Sequence, residues 1–530
     1  MRGTLPHEAP TPARAPAPAP VPSPLPRRTI LRGAAVAGAL AAAGPALLRT
    51  APSAVGASTL VADTPELHLL RRATYGPTAT SHARIERIGV NRWLDEQLTP
   101  GSIDDDELRS MLDARFEGLR WSIAGANSNL EAFSWDLMFD LGVAAIARAA
   151  WSERQLFEVM VDFWSNHLNV TNPFDGGWNT RHDYDRTVIR RHALGSYEDM
   201  LWASAQHSAM LIYLNNAESS KESPNENYGR ELLELHSVGV GGGYDEDDMR
   251  MSALVMTGFT IDWEDAIFVY RPSWHHTGQV SVMGWSKPNT TGAGGYDVAH
   301  SYVRYLARHP STAVRIATKL CERFVSDSPA PALVDALADT YLANDTQIVP
   351  VLRRLFRSAA FKGSVGQKTR RPMEDVIATL RVLGFRHDRR GTDGMRALYW
   401  MLNDLGNTPM GWTPPNGYPD TADAWRSAGG TLARWNVHMS LAAHWWPDAL
   451  RMPPLSALVP DPLPATYGAL VQALAKKLVF RALPSAHRDA ICGFFGRTLN
   501  SPLSSNSDVL GWRLPYLVSL ILDTPSHLLR

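Results

Sequence analysis

Cysteine is scarce in this sequence, since its 530 residues contain only Cys321 and Cys492. The two lie far apart and have no C-x-x-C spacing, which excludes a zinc site built from thiolates. We favour two separate buried thiols, although an oxidising compartment would allow the pair to join. The formal net charge is also small, at −1. No basic field for nucleic acid or anionic lipid is present, and we expect no nucleic-acid partner.

Long apolar segments and familiar catalytic motifs are also missing. No stretch after the first sixty residues is apolar over the ~20 residues that a membrane span needs, so we expect a soluble mature protein without a span. There is no H-E-x-x-H, G-x-S-x-G, Walker A or EF-hand motif. The glycines of 239–243 follow a predicted helix rather than a strand, which indicates a helix cap instead of a dinucleotide-binding loop.

The first 57 residues are predicted to be a targeting segment. Residues 1–26 are rich in proline and alanine and are expected to form a disordered arm. Arg27 and Arg28 then precede a mildly apolar run over 34–48, which is the order of a twin-arginine signal peptide. We therefore expect export to the periplasm or the extracellular space. The alternative is a basic arm without a targeting role.

Residues 58–530 are predicted to form one large, mainly α-helical domain. Thr64 and Pro65 are suited to the N-cap and first position of its first helix. Apolar residues recur at helical spacing over many further segments, among them 311–324, 372–384, 424–445 and 465–480. Strand patterns at 266–270 and 279–283 predict a small β-hairpin near 266–284. A proline-rich segment before residue 465 indicates a C-terminal helical subregion over 465–530.

The segment PNENYGRELLELHSVGVGGGY, residues 224–244, concentrates more polar chemistry than any other. Glu231 and Glu234 share one face of its predicted helix, and Arg230 is placed to pair with Glu234 one turn away. Two interpretations stay open. Either the segment is a capped helix with an internal ion pair, or Glu231 projects into a cleft as a general acid, general base or metal ligand.

Glu231, His167 and His275 are the predicted catalytic residues. His167 lies on the apolar face of a predicted helix, so it is either a hydrogen-bonded core histidine or a site residue. His275 lies in the predicted hairpin. Imidazoles from two elements and a helix carboxylate suit a divalent metal, so these three residues are also the candidate ligands of a metal cofactor.

Further side chains are predicted to contact substrate, three near Glu231 and two in a turn-rich loop: Asn225, Asn227, Arg230, Trp412 and Tyr418. Asn225 is also the predicted N-cap of the Glu231 helix. The loop, residues 411–425, combines aromatic rings and carboxylates on a helical scaffold, where binding residues often lie. This composition suits stacking on a sugar and equally suits the packing of a long loop.

Seven segments carry a family resemblance, and they follow one another along nearly the whole mature chain: HLLRRATYGPT (68–78), DFWSNHLNV (162–170), RRHALGSYEDML (190–201), SAMLIYLNN (208–216), PNENYGRELLELHSVGVGGGY (224–244), ARHPSTAVRIATKLCERFV (307–325) and PPNGYPDTADAW (414–425). With them the chain resembles the bacterial proteins grouped as domain of unknown function 1800. The resemblance implies an exported, largely helical protein and no settled activity.

Two departures from the family pattern concern acidic positions. Where the family has HDxGxK, this chain reads HHTGQV over 275–280, and where it has YLDN, this chain has YLNN over 213–216. If either acid is a ligand or base in relatives, the activity of this protein differs from theirs.

Three functions fit these observations. The leading hypothesis is an exported hydrolase or lyase that uses Glu/His acid–base chemistry on an extracellular or envelope polymer such as a polysaccharide. It is motivated by the export signal, the 17 tryptophans and the clustered Glu and His residues. The second is a metal- or cofactor-carrying protein exported in the folded state. The third is a non-catalytic envelope scaffold in which the polar cluster ties helices together.

Overall fold

The structure, a computed structural model, describes residues 63–530. Its first helix is capped by Thr64. The Thr64 hydroxyl accepts a hydrogen bond from the amide of Leu67, and Pro65 is the first helical residue, as predicted. The predicted arm and signal peptide, residues 1–57, lie outside the described residues.

Helices make up the chain as far as residue 255: α1 Pro65–Ala73, α2 Ala79–Ile88, α3 Val90–Gln97, α4 Asp106–Arg115, α5 Ile123–Asn129, α6 Asp136–Trp151, α7 Gln155–His167, α8 Arg181–Tyr184, α9 Tyr197–Ala205, α10 Ser208–Tyr213, α11 Glu226–Glu234 and α12 Glu246–Val255. A π-helical turn, Asp185–Arg190, continues α8. The α11 and α12 backbones approach closely, since a Cβ at Gly229 would lie 2.6 Å from the amide nitrogen of Ala253.

Four short strands follow: β1 Phe259–Asp262, β2 Ile267–Tyr270, β3 Val280–Val282 and β4 Trp285–Lys287. The strands predicted at 266–270 and 279–283 are present as β2 and β3, but they do not pair with each other. β2 pairs antiparallel with β1, and β3 pairs antiparallel with β4. Met283 and Gly284 join β3 to β4 with positive φ at both positions, which is a type I′ hairpin turn.

Helices again form the rest of the described chain: α13 Gly295–Ala307, α14 Pro310–Phe324, α15 Pro331–Ala343, α16 Ile348–Arg357, α17 Ala359–Lys362, α18 Pro372–Val382, α19 Asp393–Asp404, α20 Ala428–Ala442, α21 Tyr467–Leu478, α22 Ser485–Phe494, α23 Leu514–Leu522 and α24 Pro525–Leu528. The prediction of a mainly α-helical fold is confirmed. Cys321 and Cys492 are free and buried, as favoured above.

Helix α18 lies at the centre of the polar interior. It is buried around its whole circumference, on its charged side as well as its apolar side. Val376, Ile377 and Leu380 supply apolar contact, whereas Glu374 and Asp375 are carboxylates at most 2% exposed. Buried carboxylates need compensating charge, so α18 attracts basic side chains from distant segments. Nowhere between residues 63 and 530 is there a helix with the length and apolar character for crossing a membrane.

Candidate functional site

A cavity of about 420 Å³ lies between α7, α14, the start of α18 and the loop of residues 411–421. Its lining has three carboxyl groups and three basic groups: Asp162, Glu322, Asp420, Lys319, Arg323 and Arg371. Trp412 and Tyr418 add aromatic rings, with their centroids 5.1 Å apart. Its volume falls in the range of small-molecule sites, and its charged side chains and two aromatic rings border the same space.

Two asparagines at the end of α7 hold the loop in place. Asn166 donates to the carbonyl of Tyr418 at 2.7 Å and accepts from the amide of the same residue at 2.6 Å. Asn169 donates to the carbonyls of Trp412 and Pro414, each at 2.8 Å. The cavity wall is therefore anchored through the loop backbone to one helix.

Buried guanidinium groups hold two of the three carboxylates. Arg323, 1% exposed, donates to Glu374 and lies 3.6 Å from Asp420 and 3.7 Å from Asp162. Arg371 forms an ion pair with Asp162. Burial opposes the ionisation of Asp420, but Arg323 and Arg371 outweigh it and lower the pKa of that carboxyl. Asp420 is thus a fixed anion, and Asp162 is held in place by its ion pair with Arg371.

Glu322 and Lys319 differ from these pairs, because neither side chain has a hydrogen bond or an ion pair to any described residue. They lie one turn apart on α14, and both line the cavity. Burial raises the pKa of Glu322; Lys319 partly offsets this increase, and nearby Asp420 adds to it. Burial and Arg315 lower the pKa of Lys319 to about 8. The carboxylate is thereby a stronger base and the ammonium a stronger acid than in water.

His167 is buried beside this site and is not part of the cavity lining. Its Nε2 lies 2.8 Å from the Tyr197 hydroxyl, which donates its only proton to the carbonyl of His236. His167 Nε2 must therefore carry a hydrogen, and Nδ1 is a bare acceptor without a partner among the described residues. Burial, with Lys319 and Arg315 nearby, lowers the pKa of His167 well below its usual value, so the ring is neutral.

Glu231 lies near Tyr213, which contacts the loop. It is half-buried, and burial and Glu234 raise its pKa. Burial, together with the charge of Glu231, raises the pKa of Tyr213 to about 12, and the Tyr213 hydroxyl donates to the loop carbonyl of Thr413. The predicted pair of Arg230 and Glu234 is present, with 3.7 Å between charged atoms. Glu231 thus adjoins the loop without lining the cavity.

The His275 ring, between β2 and β3, is fixed by two neighbouring residues. Its Nδ1 lies 2.8 Å from the carbonyl oxygen of Thr257, and its Nε2 lies 3.0 Å from Oδ1 of Asn289. Within residues 63–530, His275, Glu231 and His167 do not bring three ligand atoms together as a metal site requires. Their roles as catalytic residues stay predictions.

The predicted substrate-contacting residues fall into two groups. Trp412 and Tyr418 line the cavity. Asn225 is confirmed as the N-cap of α11, since its Oδ1 accepts from the amide of Tyr228 at 3.1 Å. Asn227 is exposed on α11, and Arg230 also reaches Glu246 at 3.4 Å. The first group therefore belongs to the cavity, and the second belongs to helix α11.

The sequence reasoning missed Lys319, Glu322 and Arg323. A signal was present in the segment ARHPSTAVRIATKLCERFV, because residues three and four apart share a helix face. The three charges accordingly project from one side of α14, whose other side packs into the core through apolar residues such as Leu320 and Phe324. Three charges together on one face of an otherwise half-buried helix would have marked it as a site.

The cavity lies in a part of the chain that matches a known protein family. A family model described as "Protein of unknown function (DUF1800)" matches residues 68–529. No similar chain was found among curated proteins, and none among solved structures. The matched range contains every residue that lines the cavity. The chain belongs to the DUF1800 family of proteins of unknown function.

Proposed function

We propose that this protein is a hydrolase that acts by acid–base chemistry in the cavity between α7, α14 and the 411–421 loop. Glu322 and Lys319 carry the proposal, as an unpaired acid and an unpaired amine one helical turn apart that face the same cavity. Catalytic groups of this kind work best when their pKa values approach the working pH. Burial moves both groups in that direction.

The reaction follows from the protonation states that prevail between the two pKa values. The Glu322 carboxylate takes a proton from a water molecule, whose oxygen forms a bond to the reacting carbon of the substrate. The bond from that carbon to the leaving oxygen breaks, and the Lys319 ammonium donates a proton to this oxygen. Arg323 Nη2 lies 3.7 Å from Asp162 Oδ2, which fixes that carboxylate in the cavity wall beside the reacting groups.

The aromatic wall favours a carbohydrate polymer as the substrate. The half-buried Trp412 ring borders the cavity, and its Nε1 donates to Asn416 at 2.8 Å, which orients the ring. A flat ring face beside fixed carboxylates and guanidinium groups suits a sugar, whose C–H face stacks while its hydroxyl groups bond at the edge.

We also propose that the enzyme works in the periplasm or outside the cell. The support is the order of Arg27, Arg28 and the apolar run over 34–48. Fractionation of cells expressing the full chain, beside a variant with both arginines replaced by lysine, tests this location. Equal export of the two proteins would contradict the twin-arginine route.

Glu322→Gln and Lys319→Met are each expected to reduce kcat/KM by about 100-fold or more, the usual effect of losing a general base or acid. The assay is the release of reducing ends from a panel of neutral and acidic polysaccharides, with circular dichroism to verify folding. Glu107→Gln and Lys362→Met remove the same charges from exposed positions and should leave activity unchanged. Folded Glu322→Gln protein with full activity would end the proposal, as would a wild-type chain without activity on the panel.

The pH profile provides a second readout of the same pair. Activity should rise with pH as Glu322 ionises, above the usual range for a glutamate, and fall near pH 8 as Lys319 loses its proton. The groups that face Lys319 are Arg315 and Glu322 on α14, Asp420 in the loop, and the neutral His167. Activity that stays constant through pH 8 would exclude Lys319 as the acid.

Glu231 and His167 stay an alternative acid–base pair. Their case depends on the raised pKa of Glu231 and on the bare Nδ1 of His167. Glu231→Gln in the same assay separates the two hypotheses, because the proposal based on α14 predicts near-normal kcat/KM for that variant.

A further inference from the structure

A second polar cluster lies in the interior, apart from the cavity lining. It consists of Asp375 on α18, His438 on α20 and His527 on α24, all at most 3% exposed. Their potential ligand atoms lie within 4.8 Å of one another. Three segments distant in sequence thus direct two imidazoles and a carboxylate at one point.

We propose that Asp375, His438 and His527 bind a divalent transition-metal ion, with zinc as the best match. His438 Nε2 lies 3.3 Å from Asp375 Oδ2, and His527 Nε2 lies 3.4 Å from Asp375 Oδ1. Ligands bound at 2.0–2.2 Å in a tetrahedral zinc site are roughly 3.3–3.6 Å apart. Each imidazole nitrogen therefore already lies at zinc-ligand spacing from one oxygen of the Asp375 carboxylate.

Unsatisfied atoms point to a missing occupant. Asp375 Oδ1 and His438 Nε2 are buried and have no hydrogen-bond partner among the described residues. Buried polar atoms are nearly always paired, and an exception calls for an ion or a water molecule. These two atoms belong to two of the three proposed ligands, so a single cation would satisfy both.

Residues around the cluster orient the ligands as in known metal sites. His438 Nδ1 lies 2.8 Å from Asp523 Oδ1, an arrangement of carboxylate, histidine and metal that fixes the ring and turns Nε2 toward the ion. This bond fixes the orientation of the His438 ring before the metal binds. The Thr379 hydroxyl lies 3.1 Å from His527 Nε2, and a bound ion would displace this contact.

The local charge also fits a divalent ion. Burial opposes the protonation of His438, but Asp375 and Asp523 outweigh it and raise its pKa to about 9. A divalent ion would therefore displace a proton from that ring, and the two carboxylates would balance its charge. Arg434, which acts on Asp375, donates to the carbonyl of Arg370 at 3.0 Å and does not enter the cluster. The competing arrangement is a protonated His438 between the two carboxylates, and it holds no metal.

The burial of all three ligands indicates a structural role. Burial keeps substrates away from the ion, and the three protein ligands leave the fourth tetrahedral position to a water molecule. The ion would tie α18 to α20 and α24. Because Arg371 and Glu374 lie at the start of α18, the same ion would support the charged wall of the cavity from behind.

Metal analysis of the purified full chain tests the proposal. After loading with Zn²⁺ and dialysis, we expect about one zinc ion per chain and a higher unfolding temperature than after chelation. His527→Gln and Asp375→Asn should lose the metal, while His487→Gln, a half-buried histidine outside the cluster, should retain it. Absence of stoichiometric zinc in the wild-type chain would overturn the proposal, and so would unchanged zinc content in both ligand variants.

Cobalt provides a readout that does not depend on the variants folding. Wild-type chain loaded with Co²⁺ should show the visible absorption of a tetrahedral site, and addition of Zn²⁺ should abolish it. X-ray absorption at the zinc edge should show nitrogen and oxygen ligands without sulfur. A six-coordinate cobalt spectrum, as of an ion at the surface, would contradict the assignment.

Discussion

Glu374→Gln is expected to lower the free energy of unfolding by about 3–5 kcal/mol, the usual effect of removing one partner from a buried charge cluster. Arg323 donates to Glu374, and the guanidinium groups of Arg530 and Arg371 lie 3.2 Å and 3.5 Å from it. The amide of Arg371 also donates to it at 2.9 Å. The glutamine keeps the shape of the side chain and removes its charge, so three buried guanidinium groups lose their shared anion.

Urea unfolding followed by circular dichroism measures this effect. The matched control is Glu222→Gln, which removes the same charge from an exposed pair with Lys221 at 3.8 Å and should cost no more than about 1 kcal/mol. A Glu374→Gln protein as stable as the control would show that the cluster contributes little to folding. It would also show that the guanidinium groups are satisfied in another way.

Gly417→Ala is expected to lower the free energy of unfolding by about 3 kcal/mol and to abolish substrate binding in the cavity. Gly417 has a φ of +72°, and a Cβ there would lie 2.1 Å from the carbonyl oxygen of Asn166. Left-handed backbone costs an alanine about 1–2 kcal/mol, and forced overpacking adds about 1–3 kcal/mol. Relief of the overlap requires the loop to move away from α7, which breaks the two hydrogen bonds between Asn166 and Tyr418.

Gly391→Ala is the matched control for this substitution. Its φ is +69°, but no heavy atom lies within 4 Å of a Cβ built there. It therefore reports the backbone cost alone, about 1–2 kcal/mol, and leaves the cavity intact. Urea unfolding and calorimetric titration with a substrate polysaccharide measure the two effects. Equal stability losses in the two variants would mean that the loop does not press against α7.

Local signals in the sequence were sufficient to predict the helical class and several helix ends. Thr64 and Asn225 cap α1 and α11 because their side chains need only an amide two or three residues further on. The pairing of the strands could not be obtained in this way. The turn at Met283 and Gly284 places a bulky residue at positive φ. The sequence pattern does not predict such a turn, so β4 was missed.

The candidate site was only partly predictable for a related reason. Trp412 and Tyr418 were identified because a turn-rich aromatic loop is a local feature. The charges that complete the cavity are sequence-distant, since Asp162 and Arg371 are 209 residues apart and meet only after folding. Asp375 was likewise missed, because a carboxylate near a helix start resembles ordinary capping until its distant histidines are known.

The hydrogen bonds that anchor the 411–421 loop have a consequence for how this site can diversify. Asn166, Asn169 and Tyr213 reach the loop through its backbone atoms, mostly carbonyl oxygens, and not through its side chains. A loop held in this way keeps its path whatever side chains it carries at exposed positions. Under the proposed function, substitutions there can alter which polymers are recognised while the proposed catalytic pair on α14 keeps its geometry, so recognition and chemistry can evolve separately on this scaffold.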